Sequence, residues 1–194
     1  MQNRIAKNKL LEMKKIFFYT SFWVLSVLLL NQTVTAQEFK ELDESPHDIV
    51  YFRANKISPP AIKVLYGRPQ KKGREIFGEV IPYGEIWRVG ANEATEVVFY
   101  KDVMFGDTEV EAGTYVLYAI PNEKEWTLIL SSRTDVWGTY EYDEKYDVAR
   151  VQAKVSRAEF VEAFSIAFKE KGKQVNMILG WDTARITAPI RLDI

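Results

Sequence analysis

Three arginines close to predicted turns are the side chains of this sequence best suited to hold an anion. Arg68 lies in YGRP, Arg74 in KKGR, and Arg88 in the longer segment PYGEIWRVGANEATE. A guanidinium is a planar fork of N–H donors that matches a carboxylate or a phosphate, whereas a lysine is a solvated point charge. If the three side chains converge, they form an anion-binding site.

The segment around Arg88 also supports a structural interpretation. In that interpretation Arg88 pairs with Glu93 or Glu85, stacks on Trp87, and ties an irregular connection to a sheet. Asn92 is expected to take a left-handed turn geometry and to bond its own backbone. Because networks that satisfy loop backbone are common, the segment is interpreted first as a brace, with a pocket beside it as the alternative.

A loop with four aromatic and three acidic residues, WGTYEYDEKY at 137–146, is a second candidate patch. Aromatic faces stack on sugar rings, while carboxylates accept hydrogen bonds from hydroxyl groups. Trp137 and Tyr140 would make that contact. The alternative is that the loop folds back and buries both rings over an open end of the core, since large aromatic residues are usually mostly buried.

Composition excludes several reaction classes. The chain has no cysteine and one histidine, His47, in a polar segment, so thiolate chemistry, histidine metal clusters and a serine–histidine triad are not expected. No phosphate-binding or calcium-loop motif is present, and neither a cofactor nor a metal is predicted. Hydrolysis of carbohydrate by two carboxylates about 5 Å apart is the enzymatic alternative. Its candidate carboxylates are Glu85, Glu93, Glu141, Asp143 and Asp147.

Alternation of apolar and polar residues predicts eight or nine strands. The pair 115–120 and 126–130, joined by a polar turn of five residues, predicts a hairpin. Segment 156–167 carries helix formers after a serine, but it is interpreted as strand. Because no helix of ten or more residues separates the strands, the pattern predicts an all-β fold, an antiparallel β-sandwich or jelly-roll-like single domain. The later strands are predicted separately at 149–155, 160–168, 175–181 and 186–192.

The first 36 residues predict a signal peptide. Lys14-Lys15 is followed by 15 uncharged, largely apolar residues, fewer than the roughly 18–20 that a membrane-spanning helix needs. Cleavage is expected after Ala36, where small residues stand; a retained membrane anchor is the alternative. The mature chain would then consist of a polar lead at 37–56 and a β-sandwich domain at 57–194, in the periplasm or outside the cell.

The charge of the mature chain argues against nucleic acid as a partner. Residues 37–194 carry 21 lysines and arginines against 26 aspartates and glutamates. A net negative chain lacks the basic surface that binds a phosphate backbone. Contact with a membrane is expected only transiently, through the signal peptide.

Several short motifs follow one another in an order that is more specific than any one of them. They include SPPA, YGRP, PYGEIWRVGANEAT, AGTY and the Trp137-Gly138 pair. Over roughly residues 55–192 the chain resembles an exported bacterial family common in Bacteroidetes, domain of unknown function 2911. The resemblance implies an exported β domain and brings no activity, cofactor or catalytic residue with it.

Together these observations predict an exported, noncatalytic binding or structural module whose ligand, if it has one, is a small molecule or a glycan. No catalytic residue is predicted. The candidate ligand-binding residues are Arg68, Arg74, Arg88, Asn92, Glu93, Trp137 and Tyr140.

Overall fold

The computed structural model describes residues 2–29 and 38–192. Helix α1 (Gln2–Leu29) belongs to one unit, Met1–Glu41, and the rest of the chain, Leu42–Ile194, forms a second unit. No helix within the described ranges combines the length and the apolar character needed to cross a membrane. The expected cleavage position after Ala36 lies outside the described residues.

The second unit is built from antiparallel strands, of which the described residues contain nine. Along the sheet the strands follow the order β1-β2-β3-β6-β7-β8-β9-β4-β5. The fold is therefore all-β and sandwich-like, as predicted, and the number of strands agrees. The strands are β1 (His47–Phe52), β2 (Ile62–Gly67), β3 (Thr95–Phe99), β4 (Val103–Phe105), β5 (Thr108–Val110), β6 (Gly113–Ile120), β7 (Glu125–Ser131), β8 (Asp147–Lys171) and β9 (Gln174–Leu192).

The long strand β8 connects two layers of the sandwich. It pairs with β7 up to Lys154 and with β9 from Val155 onward, so one strand belongs to both layers. Irregularities in its pairing with β9 fall on either side of Val161, where a strand that changes sheets must bend. Segment 156–167 is confirmed as strand. The separately predicted later strands join into two, β8 and β9, because bulges interrupt the alternation without ending the strands.

A large apolar core lies between the layers, and a small one lies on the outer side of the first layer. Alternate side chains of each strand point into the large core. In β2, for instance, Ile62, Val64 and Tyr66 are all buried. The small cluster includes Tyr118 and Val136 and lies beneath the loop that follows β7. The predicted hairpin is confirmed as β6 and β7.

Strand β1 lies inside the segment that was expected to be a polar lead. It pairs with β2 from His47 opposite Gly67 to Phe52 opposite Ile62. Among its six residues only Phe52 is buried, since β1 is an edge strand with one partner in the sheet order. An edge strand needs few apolar residues, so the periodicity in this segment was too weak to reveal it. The pairing places His47 beside the end of β2.

Candidate functional site

The segment that carries Arg88 begins as a short addition to the first layer. Trp87 exchanges two backbone hydrogen bonds with Ala119 of β6, at 2.7 and 2.9 Å. Successive side chains of an extended segment point to opposite sides. Trp87 therefore enters the core and is buried, whereas Arg88 is half-buried on the other side. The sheet thus sets the direction of the Arg88 side chain.

Two residues of the following loop have backbone conformations that L-amino acids rarely adopt. Val89 has φ +58° and Asn92 has φ +63°, and for a β-branched residue this region costs about 1–3 kcal/mol. The buried Thr95 holds the loop in place: its hydroxyl donates to the carbonyl of Val89 at 2.6 Å, and its N–H donates to the carbonyl of Arg88 at 3.2 Å. The left-handed geometry expected for Asn92 is confirmed.

The end of β2 presses against the same loop. A Cβ atom at Gly67 would lie 2.2 Å from the carbonyl oxygen of Ala91, so only glycine allows the two backbones to approach this closely. The loop is therefore held on one side by Thr95 and on the other by the backbone of Gly67. Such restraint fixes the backbone at Arg88.

A cluster of aromatic rings lies beneath the loop. Trp87 stacks on Trp181, with ring centroids 6.2 Å apart and an interplanar angle of 19°. Phe164 packs edge-on against both rings. The indole N–H of Trp181 donates to the carbonyl of Glu162 at 3.0 Å, so this ring is also fixed through its polar atom. The two tryptophans form a rigid apolar floor.

An open pocket of about 560 Å³ lies over this floor. Two of the cationic side chains that line it already have partners within the protein. Lys72 forms an ion pair with Glu44 at 2.7 Å, and the Arg74 guanidinium donates to the carbonyls of Lys71 and Gln70. The lining consists of Glu44, Ser45, Pro69, Gln70, Lys72, Arg74, Val80, Ile81, Trp87, Arg88, Gly90, Ala91, Asn92 and Trp181.

Arg88 also lines this pocket, although its side chain lies on the face of the sheet opposite Trp87, and its guanidinium has no acidic partner among the described residues. No acceptor among the described residues bonds its Nε, which is fully buried. The expected ion pair with Glu93 or Glu85 is not present there: Glu93 contacts His47 instead, at 3.0 Å. The guanidinium carbon of Arg88 lies 5.7 Å from the centroid of Trp137, rather than stacking on Trp87 as expected. Its charge therefore has only a cation–π contact.

Arg68 has the role of a brace. Its Nε donates to the carbonyl of Phe164 at 3.1 Å, one terminal nitrogen donates to Asp48 at 2.9 Å, and the other donates to the hydroxyl of Ser165 at 2.8 Å. These contacts join the end of β2 to β1 and to the second half of β8. Arg68 does not line the pocket described above, so the three arginines do not converge on it.

Asn92 and Glu93 lie on two sides of the loop. Asn92 lines the pocket. The Ser45 N–H and then the Asn92 side chain keep the pKa of Asp43 below its usual value, so that Asp43 stays ionised nearby. Glu93 instead lines a neighbouring recess of about 610 Å³ together with His47. Of the first five candidate residues, Arg74, Arg88 and Asn92 thus share one pocket.

Trp137 and Tyr140 form an exposed aromatic platform. Their rings are nearly parallel, with an interplanar angle of 6° and centroids 5.6 Å apart. Their side chains are 53% and 82% exposed respectively, so they do not close an end of the core as the alternative had it. The platform adjoins the pocket through Arg88, which contacts Trp137.

The carboxylates that could have supported hydrolysis are mostly engaged by cations. An ion pair favours the charged form of an acid, whereas a general acid must hold its proton. The Lys145 side chain, for example, lowers the pKa of Asp143. Burial, followed by a hydrogen bond to Asp147, raises the pKa of Tyr142 to about 12. The pairs are Glu93 with His47, Glu141 with Arg133, Asp143 with Lys145, and Asp147 with Arg150.

Sequence reasoning missed four residues that shape this region. Thr95 and Gly67 hold the loop, Trp181 supplies half of the floor, and His47 binds Glu93. Trp181 is far from the loop in sequence, so no local pattern could have associated them. The glycine in YGRP was visible, but its close contact depends on a second segment that only the fold brings near.

One comparison with known proteins identifies the chain. A family model described as "Protein of unknown function (DUF2911)" matches residues 45–190, which is most of the chain. The protein therefore belongs to this family, as its motifs had suggested. No curated protein and no solved structure matches it.

Proposed function

We propose that this member of the DUF2911 family is an exported, noncatalytic binding module whose pocket around Arg88 holds a carboxylate or phosphate group. The observation that carries this proposal is the guanidinium of Arg88, which forms no ion pair within the described part of the chain and whose buried Nε has no acceptor there. A ligand anion on the terminal guanidinium nitrogens would supply the ion pair; the buried Nε itself is closed to a ligand. A carboxylate matches the fork of a guanidinium with two parallel hydrogen bonds.

Energetics distinguish this arrangement from a brace. A buried donor left without an acceptor costs about 1–3 kcal/mol, and a brace, like Arg68, uses its donors. A loop that also contains the strained Val89 holds Arg88 in place. Strain and unsatisfied groups that are held by the surrounding structure are typical of functional sites. The volume of the pocket, about 560 Å³, falls within the 300–1,000 Å³ or so that is usual for small-molecule sites.

Binding without catalysis is supported by the state of the neighbouring ionisable groups. Three of the five candidate carboxylates, Glu141, Asp143 and Asp147, form ion pairs with lysine or arginine, and Glu93 contacts His47. No group of three or more metal-ligating side chains is found in the described part of the chain. The lining of the pocket contains a single carboxylate, Glu44, which is paired with Lys72, beside donors and aromatic rings.

Export is the second part of the proposal, and it rests on the basic and apolar pattern of residues 14–36. N-terminal sequencing of the protein recovered from the periplasm or the medium tests it. A chain that begins at Gln37 is the expected result. A membrane-bound chain that retains residues 1–36 would contradict it.

The anion site is tested by thermal unfolding of the intact chain in phosphate or citrate, at ionic strength matched with potassium chloride. A ligand at 100 times its Kd adds about 2.7 kcal/mol to the free energy of unfolding, which raises the midpoint by about 5–10 °C for a domain of this size. The full shift is expected in the wild type, and Arg88→Met is expected to keep only the smaller rise that exclusion of these anions from the surface gives every variant.

The matched control is Arg53→Met. Arg53 also lies over an aromatic ring, that of Tyr51, at 5.1 Å, but it does not line the pocket. Phosphate and citrate also stabilise proteins generally, through exclusion from the surface, and this contribution is the same in both variants. If neither anion raises the midpoint of the wild type and of Arg53→Met more than it raises the midpoint of Arg88→Met, the proposal is wrong.

A further inference from the structure

The aromatic platform of Trp137 and Tyr140 is unusual because it exposes two large rings that pack against each other. Large aromatic side chains normally bury their area in a core, where they stabilise the fold most. Here the rings are 53% and 82% exposed and stack at 6°. Because the rings are stacked on each other, the face of Tyr140 that is turned away from Trp137 and the ring edges are what a ligand can meet. A sugar ring can cover such an aromatic face with its C–H groups.

The platform has a fixed backbone. Trp137 forms a bridge with Glu93, the N–H of Ala94 donates to the carbonyl of Val136 at 3.2 Å, and the N–H of Gly138 donates to the carbonyl of Asn92 at 3.2 Å. These bonds attach the platform to the same loop that positions Arg88. A preorganised surface loses little conformational entropy when a ligand binds.

Arg88 connects the platform to the pocket. Its guanidinium carbon lies 5.7 Å from the Trp137 ring centroid. A Cβ atom at Gly138 would lie 3.2 Å from the Tyr140 ring and 3.4 Å from Nη1 of Arg88, so both groups flank the same glycine. A ligand anion on Arg88 would therefore have the aromatic platform beside it. The two patches that the sequence suggested separately form one surface.

The charges around this surface select among possible anions. Asp43 stays ionised beside Asn92 of the pocket, and Glu93 and Glu141 lie near the platform, beside His47 and Arg133. Several negative groups near a guanidinium that has no acidic partner among the described residues favour a ligand with one charge per sugar ring over a polyphosphate. The same carboxylates can accept hydrogen bonds from hydroxyl groups. A carboxylate attached to a hydroxylated ring, as in a uronic acid, satisfies both requirements.

We propose that the surface formed by Arg88, Trp137 and Tyr140 binds an acidic saccharide, with a uronate carboxylate on Arg88 and a neighbouring sugar ring on the platform. This inference rests on the anion site proposed above. It adds the class of ligand, and it adds a contact that a bare anion does not make.

The test is calorimetric titration of the intact chain with trimers of galacturonate and of mannuronate. Galactotriose and mannotriose are the neutral counterparts, and phosphate is the anion without a ring. At least one acidic trimer is expected to bind at least tenfold more tightly than its neutral counterpart and than phosphate. Tyr140→Ala is expected to weaken that trimer by about two- to tenfold, the range for one aromatic stack, and to leave the phosphate-induced rise in midpoint unchanged.

Two further variants separate the contribution of the Arg88 charge from that of an exposed aromatic ring. Arg88→Met is expected to lose both the acidic trimer and the phosphate effect. Tyr100→Ala removes another exposed aromatic residue, 49% exposed and away from the pocket, and is expected to change neither.

The outcomes distinguish this inference from the proposed function. If phosphate acts through Arg88 but Tyr140→Ala leaves trimer binding unchanged, the anion site stands and the saccharide inference is wrong. If neutral trimers bind as tightly as acidic ones, or if adenosine monophosphate binds more tightly than any uronate trimer, the inference is also overturned. If neither the anions nor the trimers bind to the wild type, both proposals fall.

Discussion

Arg68 and Arg88 belong to backbone segments that touch, yet the protein treats their charges in opposite ways. The contact between the segments is that of Gly67 with Ala91. At Arg68 each of the three guanidinium nitrogens donates to an acceptor: Asp48, Phe164 and Ser165. At Arg88 the buried Nε has no acceptor in the described part of the chain, and the charge faces a ring.

The contrast separates a brace from the proposed site. A brace joins distant strands, and all its donors contribute to the folded state. A site holds a donor in place with other residues and leaves it free for a ligand, which lowers the stability of the unliganded protein. Around Arg88 that holding is done by Thr95 and by the close contact at Gly67. The residue type alone does not tell the two roles apart.

The largest effect is expected at the brace. Arg68→Met removes three hydrogen bonds made by a charged donor, each of which contributes about 1.5–3 kcal/mol when shielded. Both partners of the ion pair with Asp48 are more than a third exposed, at 35% and 42%, so that contact adds under about 1 kcal/mol. The free energy of unfolding is expected to fall by about 2–4 kcal/mol, measured by urea denaturation.

Arg53→Met is the control for this loss. Arg53 is exposed, and it donates to the carbonyl of Ser58 and lies over Tyr51. Its replacement is expected to change the free energy of unfolding by less than about 0.5 kcal/mol, as is usual for surface substitutions. If Arg68→Met changes the free energy of unfolding no more than this control does, Arg68 is not a brace and does not differ from Arg88 in the way described.

An intermediate effect is expected where the loop is held. Thr95→Val keeps the shape of a fully buried side chain but removes the hydroxyl that donates to Val89 at 2.6 Å. The unpaired carbonyl costs about 1–3 kcal/mol, and the left-handed Val89 is no longer held. We expect that loss in urea denaturation, together with a smaller phosphate-induced rise in the midpoint, because Arg88 moves with the loop.

Thr127→Val is the matched control, since its exposed hydroxyl bonds only the side chain of Gln152. It is expected to leave both stability and the phosphate effect unchanged. A Thr95→Val variant that loses stability but keeps the full phosphate effect would show that the strained loop does not position Arg88.

The sequence determined the fold class and most of the strands, because the alternation in β2, β3, β6 and β7 is regular and both faces of these strands have clear partners. It missed β1, whose residues are mostly exposed at an edge. The sequence also predicted two shorter strands in place of β8 and two in place of β9, because irregular pairing between β8 and β9 breaks the alternation without ending either strand.

The site could be predicted only as a set of residue types. Arg88, Asn92 and Arg74 do line one pocket, and Trp137 and Tyr140 are exposed. Which arginine is satisfied depends on contacts across nearly a hundred residues, such as that of Arg68 with Ser165. Long-range contacts of this kind leave no local pattern, so the brace was assigned to the segment that contains the proposed site.

The smallest effect on stability, and the one that bears most directly on the comparison, is expected at Arg88. In Arg88→Met the buried donor disappears, which relieves about 1–3 kcal/mol, while the lost cation–π contact with Trp137 contributed about 0.5–1 kcal/mol. Methionine can also pack against the exposed ring. The free energy of unfolding without multivalent anions is therefore expected to stay level or to rise by about 1 kcal/mol in urea. A fall of about 2 kcal/mol or more would instead place Arg88 beside Arg68 as a second brace, and the free guanidinium could no longer be taken as a sign of a ligand.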